Sequence, residues 1–132
     1  MSDDNATLVI TDIKAALAAA DKEAELKPAC LLVVGGDLNG TIFDLDDGET
    51  VVGRNPDCTI PLEFQGISRQ HFKITVHNDI ANVSDMGSSN GTFVNNQKIE
   101  GSPELIKGDH IKIGSVALKF LPKGDTERLT YD

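Results

Sequence analysis

Residues 70–85 read QHFKITVHNDIANVSD and carry the clearest sign of the fold. Phe72, Ile74 and Val76 alternate with polar residues, which is the period of a β-strand with one buried face. The β-prone run IANVSD follows after the letters HND, a combination that adopts left-handed turn conformations at low cost. The stretch therefore predicts two strands joined by a turn.

The same alternation of strand and turn signals continues on both sides, from Ala29 to Pro122. Turn combinations such as LNG, DDG, NNQ and KGD separate short β-prone runs, a spacing typical of a sandwich or barrel. The predicted strands are ACLLVV, TIFDL, ETVVGR, CTIPL, QHFKITVH, IANVSD, GTFVN, QKIE, HIKIG and SVALKFLP. Two sheets packed face to face would bury their apolar faces. We predict an all-β fold, a two-sheet antiparallel β-sandwich, over residues 29–122.

Residues 1–28 have a different character from the predicted sandwich. After a polar start, Thr11 or Asp12 can cap a helix over TDIKAALAAADKEAELK that ends at Pro28. A thin apolar stripe along it consists of Ile13, Ala16, Leu17, Ala20 and Ala24. Such a stripe is suited to packing on a neighbour, either its own sandwich or a second copy. Residues 123–132 are charged and read as the start of a linker.

Composition excludes several classes of protein. The 132 residues carry a net charge of −9 without a basic stripe, which argues against a nucleic-acid partner. The apolar runs are far shorter than a membrane span, and the N-terminus lacks a basic signal-peptide start, so we expect a cytoplasmic protein. Cys30 and Cys58 belong to no C-x-x-C pair and are predicted to be buried, reduced thiols.

The segment GSSNG, residues 87–91, fits the G-x-S-x-G pattern of a hydrolase nucleophile elbow. An elbow needs a helix after its serine, whereas the β-prone letters TFV follow here, so an esterase is not expected. The carboxylates before Gly48 miss the spacing of a calcium-binding loop. We therefore predict no catalytic residue, no metal and no cofactor for this chain.

Three separated stretches carry a family resemblance: VVGRNPDCTI (residues 51–60), GISRQHFKI (66–74) and DMGSSNGTFVN (85–95). Together they spell G-R, then S-R-x-H, then D-x-x-S-x-N-G-T and V-N. This order closely resembles the forkhead-associated (FHA) domain over about residues 29–122. The resemblance implies a β-sandwich whose loops at one end bind phosphothreonine peptides.

The resemblance also implies roles for individual residues. Those expected to bind the phosphopeptide are Arg54, Ser68, Arg69, Ser89 and Asn90, and those expected to support the site are Gly53, His71, Ser88, Gly91 and Thr92. A phosphothreonine needs a fixed guanidinium and several hydroxyl or amide donors, which these residue types supply. For each of the five a simpler reading stays open. These readings are a solvated turn arginine for Arg54, a turn cap for Ser68, an exposed strand-edge charge for Arg69, plain loop polarity for Ser89, and a turn made by Asn90 with the glycine after it.

The chain ends in LKFLPKGDTERLTYD, which resembles the link from an FHA domain into a GGDEF diguanylate cyclase domain. The resemblance implies the sensory part of a cyclic di-GMP-producing enzyme whose catalytic domain is not in this chain. Expected partners are a phosphothreonine protein and a Ser/Thr kinase. Phosphorylated Thr7 or Thr11 of the N-terminal arm is a candidate ligand, in cis or on a second molecule. An FHA-like domain that binds an unphosphorylated partner is the alternative.

Overall fold

A computed structural model describes residues 27–125, and these residues form β-strands joined by loops. The strands are β1 (Ala29–Val33), β2 (Ile42–Leu45), β3 (Gly48–Gly53), β4 (Ile60–Pro61), β5 (Phe72–His77), β6 (Ile80–Asp85), β7 (Phe93–Val94), β8 (Gln97–Lys98), β9 (Glu104–Leu105), β10 (His110–Ile113) and β11 (Val116–Leu121). Over this part of the chain, no helix has the length and apolar character needed to cross a membrane. The all-β prediction is confirmed.

Two sheets make up the sandwich. The six-stranded sheet has the order β2-β1-β11-β10-β7-β8, and the five-stranded sheet has the order β4-β3-β5-β6-β9. All pairs are antiparallel except β3 with β4, which is parallel. Strand β4 ends in Pro61 and lies at a sheet edge, which suits a residue that has no backbone N–H to donate.

The predicted hairpin over residues 70–85 is present as β5 and β6. His77 pairs with Ile80, so the loop between the strands is only Asn78 and Asp79. Both loop residues have positive φ, 52° and 64°, as the twist of a two-residue hairpin requires. The residues of this turn therefore suit the two-residue loop that the strand pairing produces.

The core between the sheets comes from the alternating residues. Its largest fully buried apolar side chains include Phe72 and Ile74 of one sheet and Leu31, Ile111 and Leu118 of the other. Burying each such side chain contributes about 1.5–3 kcal/mol. This core holds the strand ends, and with them the loops, in place.

Some predictions need correction or fall outside the described residues. Strand β9 was not predicted, because its two residues follow Pro103 and lie outside any β-prone run. Cys30 is buried as predicted, but Cys58 is half-buried, since it lies in the loop after β3; neither forms a disulfide. The predicted helix up to residue 26, Thr7, Thr11 and residues 126–132 lie outside the described residues.

Candidate functional site

Three loops meet at one end of the sandwich and surround a cavity of about 890 Å³, here called the loop-end cavity. The loops follow β3, β4 and β6. The cavity is lined by all five residues predicted to bind ligand, Arg54, Ser68, Arg69, Ser89 and Asn90. Residues far apart in sequence are thus brought to one place.

Gly53 permits the close approach of the first two loops. A Cβ at this position would lie 2.2 Å from the carbonyl oxygen of Arg69, so only glycine fits. Directly beyond it, the backbone N–H of Arg54 donates to the Ser68 carbonyl at 2.9 Å, and that of Asn55 donates to the Arg69 carbonyl at 3.1 Å. The two arginines are therefore held side by side by backbone contacts.

The guanidinium of Arg54 is fixed at one nitrogen only. Its Nε donates to the Ile67 carbonyl at 3.2 Å, and its side chain makes no other hydrogen bond within residues 27–125. Neither Arg54 nor Arg69 forms an ion pair in this part of the chain. The cavity lining contains no Asp or Glu, although the chain has 21 of them. The cavity is therefore a local positive region in an acidic protein.

His71 joins two of the loops from inside the core. It is fully buried, its Nδ1 accepts the backbone N–H of Ser68 at 3.0 Å, and its Nε2 lies 2.8 Å from the Gly91 carbonyl. Because Nδ1 is an acceptor, Nε2 must carry the proton and donate to Gly91. Both ring nitrogens are thus occupied within the protein, which leaves neither of them for acid–base chemistry.

Asp85 organises the loop after β6, and it was not among the predicted site residues. Its carboxylate accepts the hydroxyl of Ser88 at 2.5 Å, the backbone N–H of Ser88 at 2.9 Å and the hydroxyl of Thr92 at 2.7 Å. Burial alone would raise the pKa of Asp85, but these hydrogen bonds and one from Gly87 outweigh it and hold the pKa below the ordinary 3.8. An Asp three residues before a Ser is a local signal that could have identified it.

The two serines of this loop have different surroundings. Ser88 donates to Asp85 and accepts the backbone N–H of Gly91 at 2.9 Å, so its hydroxyl is used within the loop. Ser89 is exposed, lines the cavity, and donates its backbone N–H to the Ser68 hydroxyl oxygen at 3.0 Å. Of these two serines, only Ser89 has a hydroxyl that is free to contact a ligand.

Asn90 is anchored by one end of its side chain. Its Nδ2 donates to the Gly66 carbonyl at 3.0 Å, while its Oδ1 has no partner within the described residues. The left-handed conformation of this turn is adopted by Gly91, with φ of 85°, and not by Asn90. Asn90 also borders a second cavity of about 390 Å³ with Phe93 and Lys112.

Sequence reasoning missed several other cavity residues. They are Asn55, Phe64, Gln65, Gly66, Ile67, Gln70, Met86 and Gly87. Gly66 has φ of 88°, and a Cβ there would lie 3.1 Å from Gly114 Cα, so its conformation and its packing both favour glycine. Gly66 could have been identified from the sequence, because it is the first residue of the stretch GISRQHFKI, which carries part of the family resemblance.

The arrangement suits the capture of an anionic group on an extended peptide. Free guanidinium nitrogens, the Ser68 hydroxyl proton and the exposed Ser89 hydroxyl are donors, and the carboxamide oxygen of Asn90 is an acceptor. Within residues 27–125, no group of three or more His, Cys, Asp or Glu residues could hold a metal ion. The site is built from hydrogen-bonding groups.

The sequence matches one protein family and several known proteins. The family model for the FHA domain matches residues 50–114. Over 93 residues the chain is 41% identical to the glycogen accumulation regulator GarA of Mycobacterium tuberculosis, covering 70% of this chain and 57% of that protein. The oxoglutarate dehydrogenase inhibitor of Corynebacterium jeikeium is also 41% identical over 93 residues, covering 70% of this chain and 64% of that protein.

Solved structures agree with these matches. The FHA domain of the CT664 protein from Chlamydia trachomatis has a TM-score of 0.66 and 31% identity, covering 70% of this chain and 95% of that one. A structure from an analysis of phosphothreonine-dependent FHA domain interactions has a TM-score of 0.65 and 29% identity, covering 70% of this chain and 93% of that one. The β-sandwich and the sequence motifs lead to one conclusion: this chain belongs to the FHA domain family.

Proposed function

We propose that this chain binds phosphothreonine-containing peptides in the loop-end cavity and thereby regulates a partner protein. The observation that carries the proposal is the pair Arg54 and Arg69, held together by backbone contacts and without acidic partners in residues 27–125. A cationic pair of this kind is expected to attract a dianion. The proposal is further supported by the phosphothreonine-dependent FHA interactions described for a structure of the same fold.

The proposed contacts follow from the free groups of the cavity. Arg54 would meet the phosphate with its guanidinium fork, while Ser68 and Ser89 would donate their hydroxyl protons. Asn90 would pair with the peptide backbone as a further strand would. Charge-assisted hydrogen bonds contribute about 1.5–3 kcal/mol each, so three or four of them, less several kcal/mol of association cost, correspond to roughly micromolar affinity.

Calorimetric titration with three matched peptide libraries tests the proposal. The libraries share degenerate flanks and differ only in a central phosphothreonine, phosphoserine or threonine. We expect heat of binding for the phosphothreonine library, its loss in Arg54→Ala, and its retention in Lys73→Ala, which removes a half-buried cation that pairs with Glu49 on the five-stranded sheet. Equal binding of the unmodified library would favour the alternative, a domain for unphosphorylated partners.

Regulation of a metabolic enzyme is the second part of the proposal. The relatives include a glycogen accumulation regulator and an oxoglutarate dehydrogenase inhibitor. The chain spans 57% and 64% of the lengths of these two relatives, so the partner enzyme is itself part of what is proposed. Affinity capture with the wild-type chain and with Arg54→Ala, followed by mass spectrometry, would identify partners that need the cavity; an enzyme captured equally by both would contradict this part.

Two more detailed proposals rest on the sequence alone: an attached diguanylate cyclase and an intrinsic threonine ligand. The attachment to a diguanylate cyclase rests on the C-terminal sequence LKFLPKGDTERLTYD, whereas the names of the two relatives refer to glycogen accumulation and to oxoglutarate dehydrogenase. Cyclic di-GMP synthesis by the full-length protein, with and without Arg54→Ala, tests it. The use of Thr7 or Thr11 as an intrinsic ligand is tested by phosphopeptide mapping of protein from its native cell.

A further inference from the structure

Strand β1 is buried along its whole length, unlike the alternating strands around it. Ala29, Leu31 and Val33 belong to the core between the sheets. Cys30 and Leu32 point to the opposite side and belong to a separate cluster, with exposures of 0% and 3%. A strand buried on both faces needs a layer of protein over each face.

The second cluster lies on the outer face of the six-stranded sheet. Cys30 is opposite Leu121 of β11, and Leu32 is opposite Lys119 of β11 and Ile42 of β2, so these side chains share one face. Leu121 has an exposure of 0%. Within residues 27–125, the hydrophobic side chain packed against this cluster is Ile42, which is itself only partly buried. Ile42, Asp44 and Lys119 flank the cluster within the sheet, and side chains beside the cluster cannot exclude water from above it.

We infer that residues 11–26 of the same chain cover this outer face as an amphipathic helix. The stripe of Ile13, Ala16, Leu17, Ala20 and Ala24 supplies the apolar surface that the face requires. Small residues in that stripe allow a helix backbone to lie close to a sheet. The segment ends two residues before β1, whose Cys30 and Leu32 it would cover.

Length and charge fit the same assignment. Sixteen helical residues extend about 24 Å, which exceeds the roughly 17 Å of a five-residue strand. Residues 11–26 hold four Asp or Glu and two Lys, a net charge of −2, and the face they would cover carries two lysines, Lys112 and Lys119, and one carboxylate, Asp44. Because the segment is tethered next to β1, its effective concentration at this face is far above that of a second molecule.

The reaction rate of the Cys30 thiol reports directly whether the outer face of the sheet is covered. In the full chain with Cys58→Ser, Cys30 is the single thiol, and we expect slow reaction with Ellman's reagent under native conditions. Ala20→Lys places a charge in the stripe and should raise the reaction rate at least tenfold. Ala18→Lys makes the same change on the other side of the predicted helix and should leave the rate unchanged.

The outcomes separate the inference from its competitors. A Cys30 that reacts rapidly in the parent protein, or equal rates in the two lysine variants, would overturn the inference. Protection that disappears on dilution, in parallel with dissociation in sedimentation experiments, would assign the cover to a second copy and also overturn it. Titration with the phosphothreonine library tests the proposed function independently of this inference, because the outer face is not part of the cavity lining.

A second measurement needs no destabilising variant. In methyl-labelled wild-type protein, nuclear Overhauser effects should connect Leu17 with Leu32 or Leu121. Leu17→Ala, which keeps helix propensity, should remove these cross-peaks and keep the signals of the β-sandwich. If the wild-type protein shows no such cross-peaks, the inference fails.

Discussion

The hydroxyl oxygen of Ser68 lies 3.0 Å from the backbone nitrogen of Ser89 and accepts its hydrogen. This contact uses an acceptor position of the hydroxyl and leaves its proton free to donate. It also joins the loop after β4 to the loop after β6. One side chain thus positions the second serine and offers its own proton to the loop-end cavity.

Replacement of Ser68 by Ala should weaken phosphothreonine binding by roughly 10- to 150-fold. The estimate corresponds to one charge-assisted hydrogen bond of about 1.5–3 kcal/mol. Calorimetric titration with the phosphothreonine library measures it. Ser84→Ala serves as the control, because that hydroxyl contacts Ser102 and is not part of the cavity lining. Equal affinity of the two variants would remove Ser68 from the site.

His71→Ala should lower the free energy of unfolding by about 3–5 kcal/mol, because it leaves a cavity and deprives two backbone groups, one buried and one half-buried, of their partners. These groups are the N–H of Ser68 and the carbonyl of Gly91. Denaturant unfolding measures the change. The exposed His77→Ala should change stability by no more than about 0.5 kcal/mol. A His71 variant as stable as the His77 variant would contradict the bridging role.

Gly53→Ala should weaken ligand binding even though no atom is removed. The new Cβ would meet the Arg69 carbonyl oxygen, a backbone atom that cannot rotate away, and would push the two arginine-bearing loops apart. We expect a loss of about 1–3 kcal/mol in stability and at least tenfold in affinity, measured by unfolding and titration. Gly36→Ala, in open space with φ of 73°, should cost stability through backbone strain but leave affinity unchanged.

Asp85 should make stability depend on pH in the acidic range. Because its folded-state pKa lies below 3.8, the unfolded chain takes up the proton first as the pH falls. The stabilisation is therefore complete well above pH 3.8 and is lost as the pH falls through the folded-state pKa. In Asp85→Asn, unfolding free energies should be lower at neutral pH and flatter in acid than in the parent or in the exposed control Asp47→Asn. An unchanged acid profile would show that Asp85 contributes nothing.

Much of the fold follows from local signals in the chain. Alternation in β5 and the HND turn predicted a hairpin that the structure contains, with both turn residues at positive φ. Strand β9 was missed because no β-prone run marks it, unlike the equally short β4, β7 and β8; it exists by pairing with Ala81 and Asn82 of β6. Strand β4 was predicted from CTIPL, but only Ile60–Pro61 pair, and they pair in parallel at an edge.

For the site, the motifs identified residues that the structure gathers around one cavity, and their contact with a ligand stays a prediction. Asp85 was overlooked as a site residue, because its importance comes from accepting hydrogen bonds from both Ser88 and Thr92. The burial of Cys30 was predicted, but its place in the outer-face cluster was not, since that depends on the pairing of β1 with β11 and β2.

From the amino-acid sequence alone follow the β-sandwich class, the family motifs and the residue types able to hold a phosphate. These are properties of neighbouring residues, so period and turn chemistry reveal them. Only the folded chain shows that Gly53 lets Arg54 lie beside Arg69, that His71 joins two loops, and which proton of Ser68 is free. Those facts depend on distances between residues remote in sequence, and packing of the two sheets sets such distances.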